Sequence, residues 1–375
     1  MERSLINGVP GLPELVSRLA GRRVLVTGHT GFKGAWLSTW LSMVGAEVTG
    51  YALDPNTEPS LFDVAGLADV VDDHRGDVED LDGFASVYER CRPEVVLHLA
   101  AQPLVRLSYV EPVRTFATNV MGTTHVLELA RRHATPAVVV VTTDKCYENV
   151  EWVWGYRETD RLGGSDPYSA SKACAELVTT AYRRSFFSGD SPTAIASARA
   201  GNVVGGGDWA ADRIVPDIVR SIGAGGAVTL RNPNAVRPWQ HVIESLSGYL
   251  TLAGLLVGSD DERALAAQEW NFGPRTSGRS TVEYLANRVC ERWGRGSVEI
   301  GRADTAAKES QLLTLSIEKA EQHLHWSPRW DLDRTIDVTV DWYRQYMDGA
   351  SARELCETQL RDYVAAAAAT AGVSR

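Results

Sequence analysis

The stretch TGHTGFKG, residues 27–34, most constrains what this chain can become. It ends the apolar run RRVLVTG (22–28) and opens FKGAWLSTWLSMVGA (32–46), so Gly28, Gly31 and Gly34 stand between an expected strand and an expected helix. Glycines so placed permit a tight turn, let backbone approach a pyrophosphate and allow close helix–strand packing. The helix N-terminus then faces the phosphates. A plain tight turn also uses glycine, so it is the strand–loop–helix setting that points to a dinucleotide.

Further along, EVTGYAL (47–53), VLHLAA (96–101) and AVVVVTTD (137–144) read as strands, with helical patterns over about 112–133 and 168–187. Strands apolar on both faces and separated by helices imply a parallel sheet covered on both sides. The expected fold is α/β, a doubly wound parallel sheet of the Rossmann-like kind with a smaller α/β substrate-binding lobe. After TAIASARAGNVVGGG (193–207) the pattern loosens into Gly- and Pro-bearing loops, with helical stretches near 278–293 and 333–348. The expected division is therefore a cofactor domain carrying the catalytic groups over 1–200 and a mainly substrate-binding lobe over 201–350, some of whose segments return to the first domain. A C-terminal helix or tail follows over 351–375, its last part, VAAAAATAGVSR (364–375), read as a frayed end.

Composition narrows the function classes. A formal net charge of −10 argues against a nucleic-acid surface or a polybasic membrane patch. No apolar run approaches the roughly 20 residues of a spanning helix, and the opening residues lack the apolar core of a signal peptide. Cysteines 91, 146, 174, 290 and 356 are odd in number and lack metal-ligand spacing. The expectation is a cytoplasmic protein with reduced thiols and no metal. Only five lysines (33, 145, 172, 308 and 319) stand against 33 arginines. Since lysine differs from arginine in being able to lose its proton, lysines inside motifs draw notice.

Asp77, in RGDV (75–78), is placed to accept from an adenine amino group. The small residues of HLAAQ (98–102) let backbone approach the cofactor. Asp54 follows the second strand but precedes Pro55, and no Arg stands immediately after that strand, so NAD is favoured over NADP. Tyr168 and Lys172, at i and i+4, share one helix face. A nearby ammonium favours phenolate and suits the tyrosine to base catalysis. Thr143, ending the strand upstream, is positioned to donate to the same substrate oxygen. Asp144 and Lys145 follow it directly, an acid and an amine that simple hydride transfer does not need.

Together the glycine loop, Thr143, Tyr168 and Lys172 resemble the extended short-chain dehydrogenase/reductase superfamily. VTGHTGFKGAWL, HLAAQPLVRLSY, TTDKCYENVEWVWGYRE, DPYSASKACAELV, AGNVVGGGDWAADRIVPD and RNPNAVRPWQHV are similar, more narrowly, to the CDP-glucose 4,6-dehydratases over residues 22 to about 274. The resemblance implies oxidation of a sugar at C4, loss of water across C5 and C6, and return of the hydride to C6. It casts Tyr168 as the O4 base and Asp144 as the acid for the departing 6-hydroxyl. Lys145 stands where related dTDP-glucose enzymes carry Glu. Two readings of it remain: base or enolate stabiliser at C5, or a residue that holds the cofactor or Asp144.

The resemblance also implies a cofactor set of Gly28, Thr30, Gly31, Phe32, Lys33, Gly34, Asp77, Val78, Leu99, Ala100, Ala101 and Asn119, joined by Tyr168 and Lys172. Gln102, Asn202, Arg213 and Arg237 fall to the substrate, Arg being suited to a diphosphate. Trp152, Trp154, Trp209 and Trp239 are either pocket walls or core. His29 and Lys33 either face the phosphates, close over the site or lie in solvent, and His98 reads as packed. The implied partners are CDP-glucose and a second copy of the chain, as dimer or tetramer through helices 112–133 and 168–187. The alternatives are a 4-epimerase or reductase, a dehydratase of a different nucleotide hexose, and a non-catalytic NAD-binding regulator.

Overall fold

The structure is a computed structural model that describes residues 9–189, 191–275, 280–301 and 312–373. Lys308 and residues 374–375 lie outside them. A seven-stranded parallel sheet forms the centre: β1 (Arg23–Thr27), β2 (Glu47–Ala52), β3 (Asp72–Arg75), β4 (Val95–His98), β5 (Ala137–Val141), β6 (Ala194–Ala200) and β7 (Glu269–Phe272). Their order across the sheet is β7-β6-β5-β4-β1-β2-β3. The direction of winding reverses between β1 and β4, which pair with Thr27 opposite His98. Such a reversal opens a crevice at the C-terminal ends of the strands.

The helices that matter are α1 (Phe32–Met43), α2 (Leu81–Cys91), α3 (Gly122–Arg132), α4 (Pro167–Phe186), α5 (Val242–Leu256), α6 (Val282–Trp293), α7 (Leu332–Met347) and α8 (Ala352–Val373). Alternation along each strand feeds two cores. Val24 and Val26 join Trp36 and Trp40 of α1, Leu246 and Leu250 of α5 and Tyr363 of α8. Leu25 points the other way, to Phe84 and Tyr88 of α2 and Val126 of α3. Because both faces are covered, β1, β4, β5 and β6 carry apolar or small residues at nearly every position.

Several expectations are corrected. The helix expected over 112–133 runs through 112–132 but is not α-helical throughout: Pro112–Phe116 is α-helical, Ala117–Met121 is one π-helical turn, and α3 follows. The strand β3 reads DDHR, with no apolar alternation to announce it, and sits at the sheet edge. Past residue 201, where some segments are expected to return to the first domain, two lie in the central sheet layer. Strand β7 extends the sheet beside β6, and α5, buried along its whole length, packs on β5 and β6. The stretch 364–373, expected to fray, continues α8, and Ala367 is buried in the core. All five cysteines are free thiols. Among the described residues no helix is long and apolar enough to cross a membrane, and no cluster of His, Cys, Asp and Glu could hold a metal ion.

Candidate active site

A cleft of about 1770 Å³ runs along the C-terminal ends of the strands. That is larger than the 300–1,000 Å³ typical of a pocket for one small molecule, and has room for a dinucleotide beside a second nucleotide. Gly28 forms its floor with φ +75°, and a Cβ there would lie 2.7 Å from Ala100 N. A Cβ on Gly34 would lie 2.1 Å from the Gly28 carbonyl oxygen, so only glycine lets α1 start this close. Gly31 caps α1 without a side-chain hydrogen bond, leaving the first-turn N–H groups for an anion. The loop therefore fits the pyrophosphate of the expected dinucleotide.

Thr30, Gly31, Phe32, Lys33, Asp77, Val78, Leu99, Ala100 and Ala101 line the same cleft. Two residues expected there do not. Asn119, on the π-helical turn, is buried behind it and donates to the Gln102 carbonyl and to Ser171 Oγ. Gln102 spends its side-chain amide on Thr115 and its own loop, donating to Thr115 Oγ1 at 2.9 Å and accepting from Leu104 N at 2.6 Å. Both shape the loop after β4 and do not face the cleft. His29 is buried, pairing through Nε2 with Asp73 at 2.8 Å, while His98 bridges Thr27 and Thr123. Burial pushes the His98 imidazole down to about 3, so it is neutral and packed.

The five expected catalytic residues meet in this cleft. Thr143 follows β5 and caps a short 3₁₀ turn, accepting from Lys145 N and donating to Asp144 Oδ1 at 3.0 Å. Asp144 is buried, and its Oδ2 has no hydrogen-bond partner among the described residues. Lys145 is partly exposed, and its ammonium likewise makes no hydrogen bond or ion pair among them. Tyr168 stands in the first turn of α4, fixed by Pro167 and by Asp166, whose carboxylate accepts from Ser169 N at 2.9 Å. Burial pushes the Tyr168 phenol well above its usual value, with a hydrogen bond from Thr143 opposing. One turn on, Lys172 donates to the Val141 carbonyl at 2.9 Å. Burial pushes its ammonium down to about 8, against the pull of Glu176.

Asn202, Arg213 and Arg237 line the far wall. Arg213 pairs with Asp208 at 2.9 Å, and Arg237 donates to its neighbour's carbonyl, Val236 O, at 3.0 Å. Trp209 and Trp239 also line the cleft, whereas Trp152 packs on Tyr147 and Tyr156 and Trp154 is 68% exposed. Lys33 reaches past the glycine loop to Tyr249, donating to its hydroxyl at 3.2 Å. Burial, then Arg213, pushes the Lys33 ammonium down to about 8.

Sequence reasoning missed Arg106 and Arg231, which reach Asp212 at 3.6 and 2.9 Å and line the cleft. It also missed Glu176, although a carboxylate one further helical turn from Lys172 was there to read. Glu176 is fully buried, pairs with Arg199 at 2.8 Å and accepts from Thr142 and Ser197.

Comparison with known proteins separates the fold from the chemistry. The dTDP-glucose 4,6-dehydratase of Streptomyces venezuelae, solved with NAD and TYD bound, superposes with a TM-score of 0.73 at 24% identity, covering 87% of this chain and 98% of that one. The UDP-glucose 4-epimerase of Thermus thermophilus, solved with NAD, superposes with a TM-score of 0.71 at 26% identity, covering 86% and 98%. Dehydratases and epimerases thus share this architecture, and fold alone does not choose between them. Sequence is more selective. The CDP-glucose 4,6-dehydratase of Salmonella typhimurium is 47% identical over 351 residues, 92% of this chain and 97% of that protein. The model of the family described as GDP-mannose 4,6 dehydratase matches residues 25–339. The chain belongs to this family of nucleotide-sugar 4,6-dehydratases.

Proposed function

We propose that this protein is an NAD-dependent hydro-lyase that converts CDP-glucose to CDP-4-keto-6-deoxyglucose and water. The observation that carries the reading is the placement of Asp144, whose Oδ2 has no partner among the described residues, and of Lys145 beside Thr143 and Tyr168 in one cleft. A 4-epimerase or reductase eliminates nothing and has no use for that pair. The bound dinucleotide supplies the oxidant for C4 and the reductant for C6. The chain's own groups do the rest. Tyr168 and Thr143 hold O4 and take its proton. The resulting ketone acidifies the C5 hydrogen, which Lys145 removes as a base and gives back at C5 as the hydride returns to C6. Asp144, whose Oδ2 has no partner among the described residues, protonates the departing 6-hydroxyl. Lys172, one turn along α4 from Tyr168, would hold the ribose end of the cofactor. Asn202, Arg213 and Arg237 would take the nucleotide diphosphate, with Arg106 and Arg231 near enough to join them.

Cytosine is favoured by the likeness to the Salmonella enzyme and by Lys145 at the C5-base position. We place the cofactor and catalytic groups on 1–200 and the substrate mainly on 201–350. A homo-oligomer, dimer or tetramer, is supported by apolar side chains left open on the helices at 112–116 and on α4. Val113 is 82% exposed and Leu177 58%. The free thiols accord with a cytoplasmic setting.

The test presents the purified protein, with NAD, to CDP-, dTDP-, UDP- and GDP-glucose separately and follows product mass. Loss of one water from CDP-glucose, at least about tenfold faster than from the others, is expected; that ratio corresponds to about 1.4 kcal/mol of discrimination. Preference for another base would overturn the substrate, and an epimer of unchanged mass would overturn the reaction.

A further inference from the structure

Resting on the dehydratase reading, the groups that serve elimination must keep a fixed relation to those that serve oxidation. Thr143, Asp144 and Lys145 stand at the short 3₁₀ turn after β5, and Tyr168 and Lys172 stand on α4. The turn's own backbone hydrogen bonds run from Cys146 N to the Thr143 carbonyl at 3.3 Å and from Tyr147 N to the Asp144 carbonyl at 3.5 Å. Both are long and internal to it. The side chains that flank the turn tie it to the rest of the molecule. On one side Thr142 donates through Oγ1 to Glu176 Oε1. On the other, the Tyr147 hydroxyl accepts from Arg199 Nη1 at 2.8 Å. Glu176 and Arg199 are themselves joined, Nη2 to Oε2 at 2.8 Å, and both are buried. Glu176 lies one turn beyond Lys172 on α4, and Arg199 lies on β6. Two more bonds brace the pair: Glu176 Oε2 accepts from Ser197 Oγ at 2.8 Å, and Arg199 Nη1 donates to the Glu158 carbonyl at 3.0 Å.

We propose that the Glu176–Arg199 pair is a positioning clamp that grips the turn at both ends, Thr142 through Glu176 and Tyr147 through Arg199, and so fixes Thr143, Asp144 and Lys145 against Tyr168 and Lys172. A buried ion pair is weak ground for stability, since well-packed apolar side chains of similar volume often serve as well. Direction is what apolar side chains lack. A guanidinium holds its donors in a rigid fork and a carboxylate accepts on two oxygens. One pair can therefore reach α4, β6 and both flanks of the turn at once. Neither Glu176 nor Arg199 lines the cleft, so both act through the turn they hold. The two ends carry different chemistry. Thr142 adjoins Thr143, which holds O4 during oxidation at C4. Tyr147 closes the side that carries Lys145, which works only after that oxidation. Loosening one end should therefore slow a different step from loosening the other.

The test removes one tie at a time and leaves the ion pair in place. Tyr147→Phe deletes the hydroxyl that accepts from Arg199 and donates to Asn271 Oδ1. Thr142→Val deletes the hydroxyl held by Glu176 at nearly equal volume, and Thr142→Ser keeps it. Each full-length protein, with NAD, is mixed with CDP-glucose in a single turnover. Reduced nicotinamide is followed by absorbance and water loss by product mass. Rates are taken per NAD-binding site, so that a smaller folded fraction does not count. The clamp predicts that Tyr147→Phe loses water about 10- to 100-fold more slowly than wild type, the scale on which small misplacements act. Oxidation at C4 still proceeds there, so reduced nicotinamide builds up on the enzyme. Thr142→Val should instead slow the appearance of reduced nicotinamide itself by about 10-fold or more, and Thr142→Ser should recover most of that rate. An equal loss at every step in both variants would reduce the pair to a structural role and overturn the proposal. Wild-type rates in either variant, or a Thr142→Ser protein no faster than Thr142→Val, would overturn it as well. Wild-type protein that removes no water from CDP-glucose would sink the dehydratase reading itself, whereas normal wild-type dehydration with any of those variant results sinks only the clamp.

Discussion

At Lys172 catalysis and folding pull against each other. Burial holds its ammonium at about 8 in the folded protein, against roughly 10.4 in an unfolded chain. A lysine depressed in the folded state destabilises most where both states are charged, below about pH 8. The penalty fades between 8 and the unfolded value, and above that it is gone. At pH 7 it is on the order of 3 kcal/mol. Replacing Lys172 with Met also forfeits the hydrogen bond to Val141, worth about 1 kcal/mol. The cofactor-free Lys172→Met protein should therefore be more stable than wild type by about 1–2 kcal/mol at pH 7. The gain should shrink by pH 10, and kcat should fall by about 100-fold or more. Urea denaturation at the two pH values checks the sign. Lys145 makes a different prediction. Because its side chain is partly exposed, Lys145→Ala should leave the fold intact and abolish exchange of the C5 hydrogen with D₂O. Full exchange in that variant would reassign C5 deprotonation to another group.

Elements explain why some of this was legible in the chain and some was not. The loop at 27–34, β5 with Thr143 at its end, and the first two turns of α4 are local in sequence, and their periodicity and glycines announce them. The relation between them is not local. Glu176, on α4, ties Thr142 at the end of β5 to Arg199 and Ser197 of β6. The position of β7 beside β6 places Asn271 within reach of Tyr147, to whose hydroxyl Arg199 donates in turn. No pattern in residues 269–272 says which sheet they join, and α5, buried all round, offers no amphipathic face to read. Asn119, on the π-helical turn, is buried behind the cleft, a register that a plain helical pattern does not anticipate. The buried pair yields a prediction of its own. Arg199→Met leaves the Glu176 charge uncompensated and should cost about 3–5 kcal/mol. Adding Glu176→Gln should recover part of that loss, and a double-mutant cycle by chemical denaturation reads the coupling.

Across the whole molecule, one cleft gathers the groups to which the proposed reaction assigns roles, and its walls come from parts of the chain far apart in sequence. The sheet presents the glycine loop, Thr143 and Asp144; α4 presents Tyr168 and Lys172; the segments after residue 201 present Asn202, Arg213 and Arg237. If the open apolar side chains on the helices at 112–116 and on α4 join two copies, Val113→Asp with Leu177→Asp should shift the protein to monomer by sedimentation. Tyr168, on that same α4, ties the interface to the site, and kcat should fall with dissociation. The central claim, that oxidation, elimination and reduction proceed on one substrate without release, is tested most directly with CDP-glucose deuterated at C4. The account predicts a product lighter by one water that keeps the deuterium, now in its C6 methyl group. A product that has lost the label, or one that keeps its mass, would contradict it.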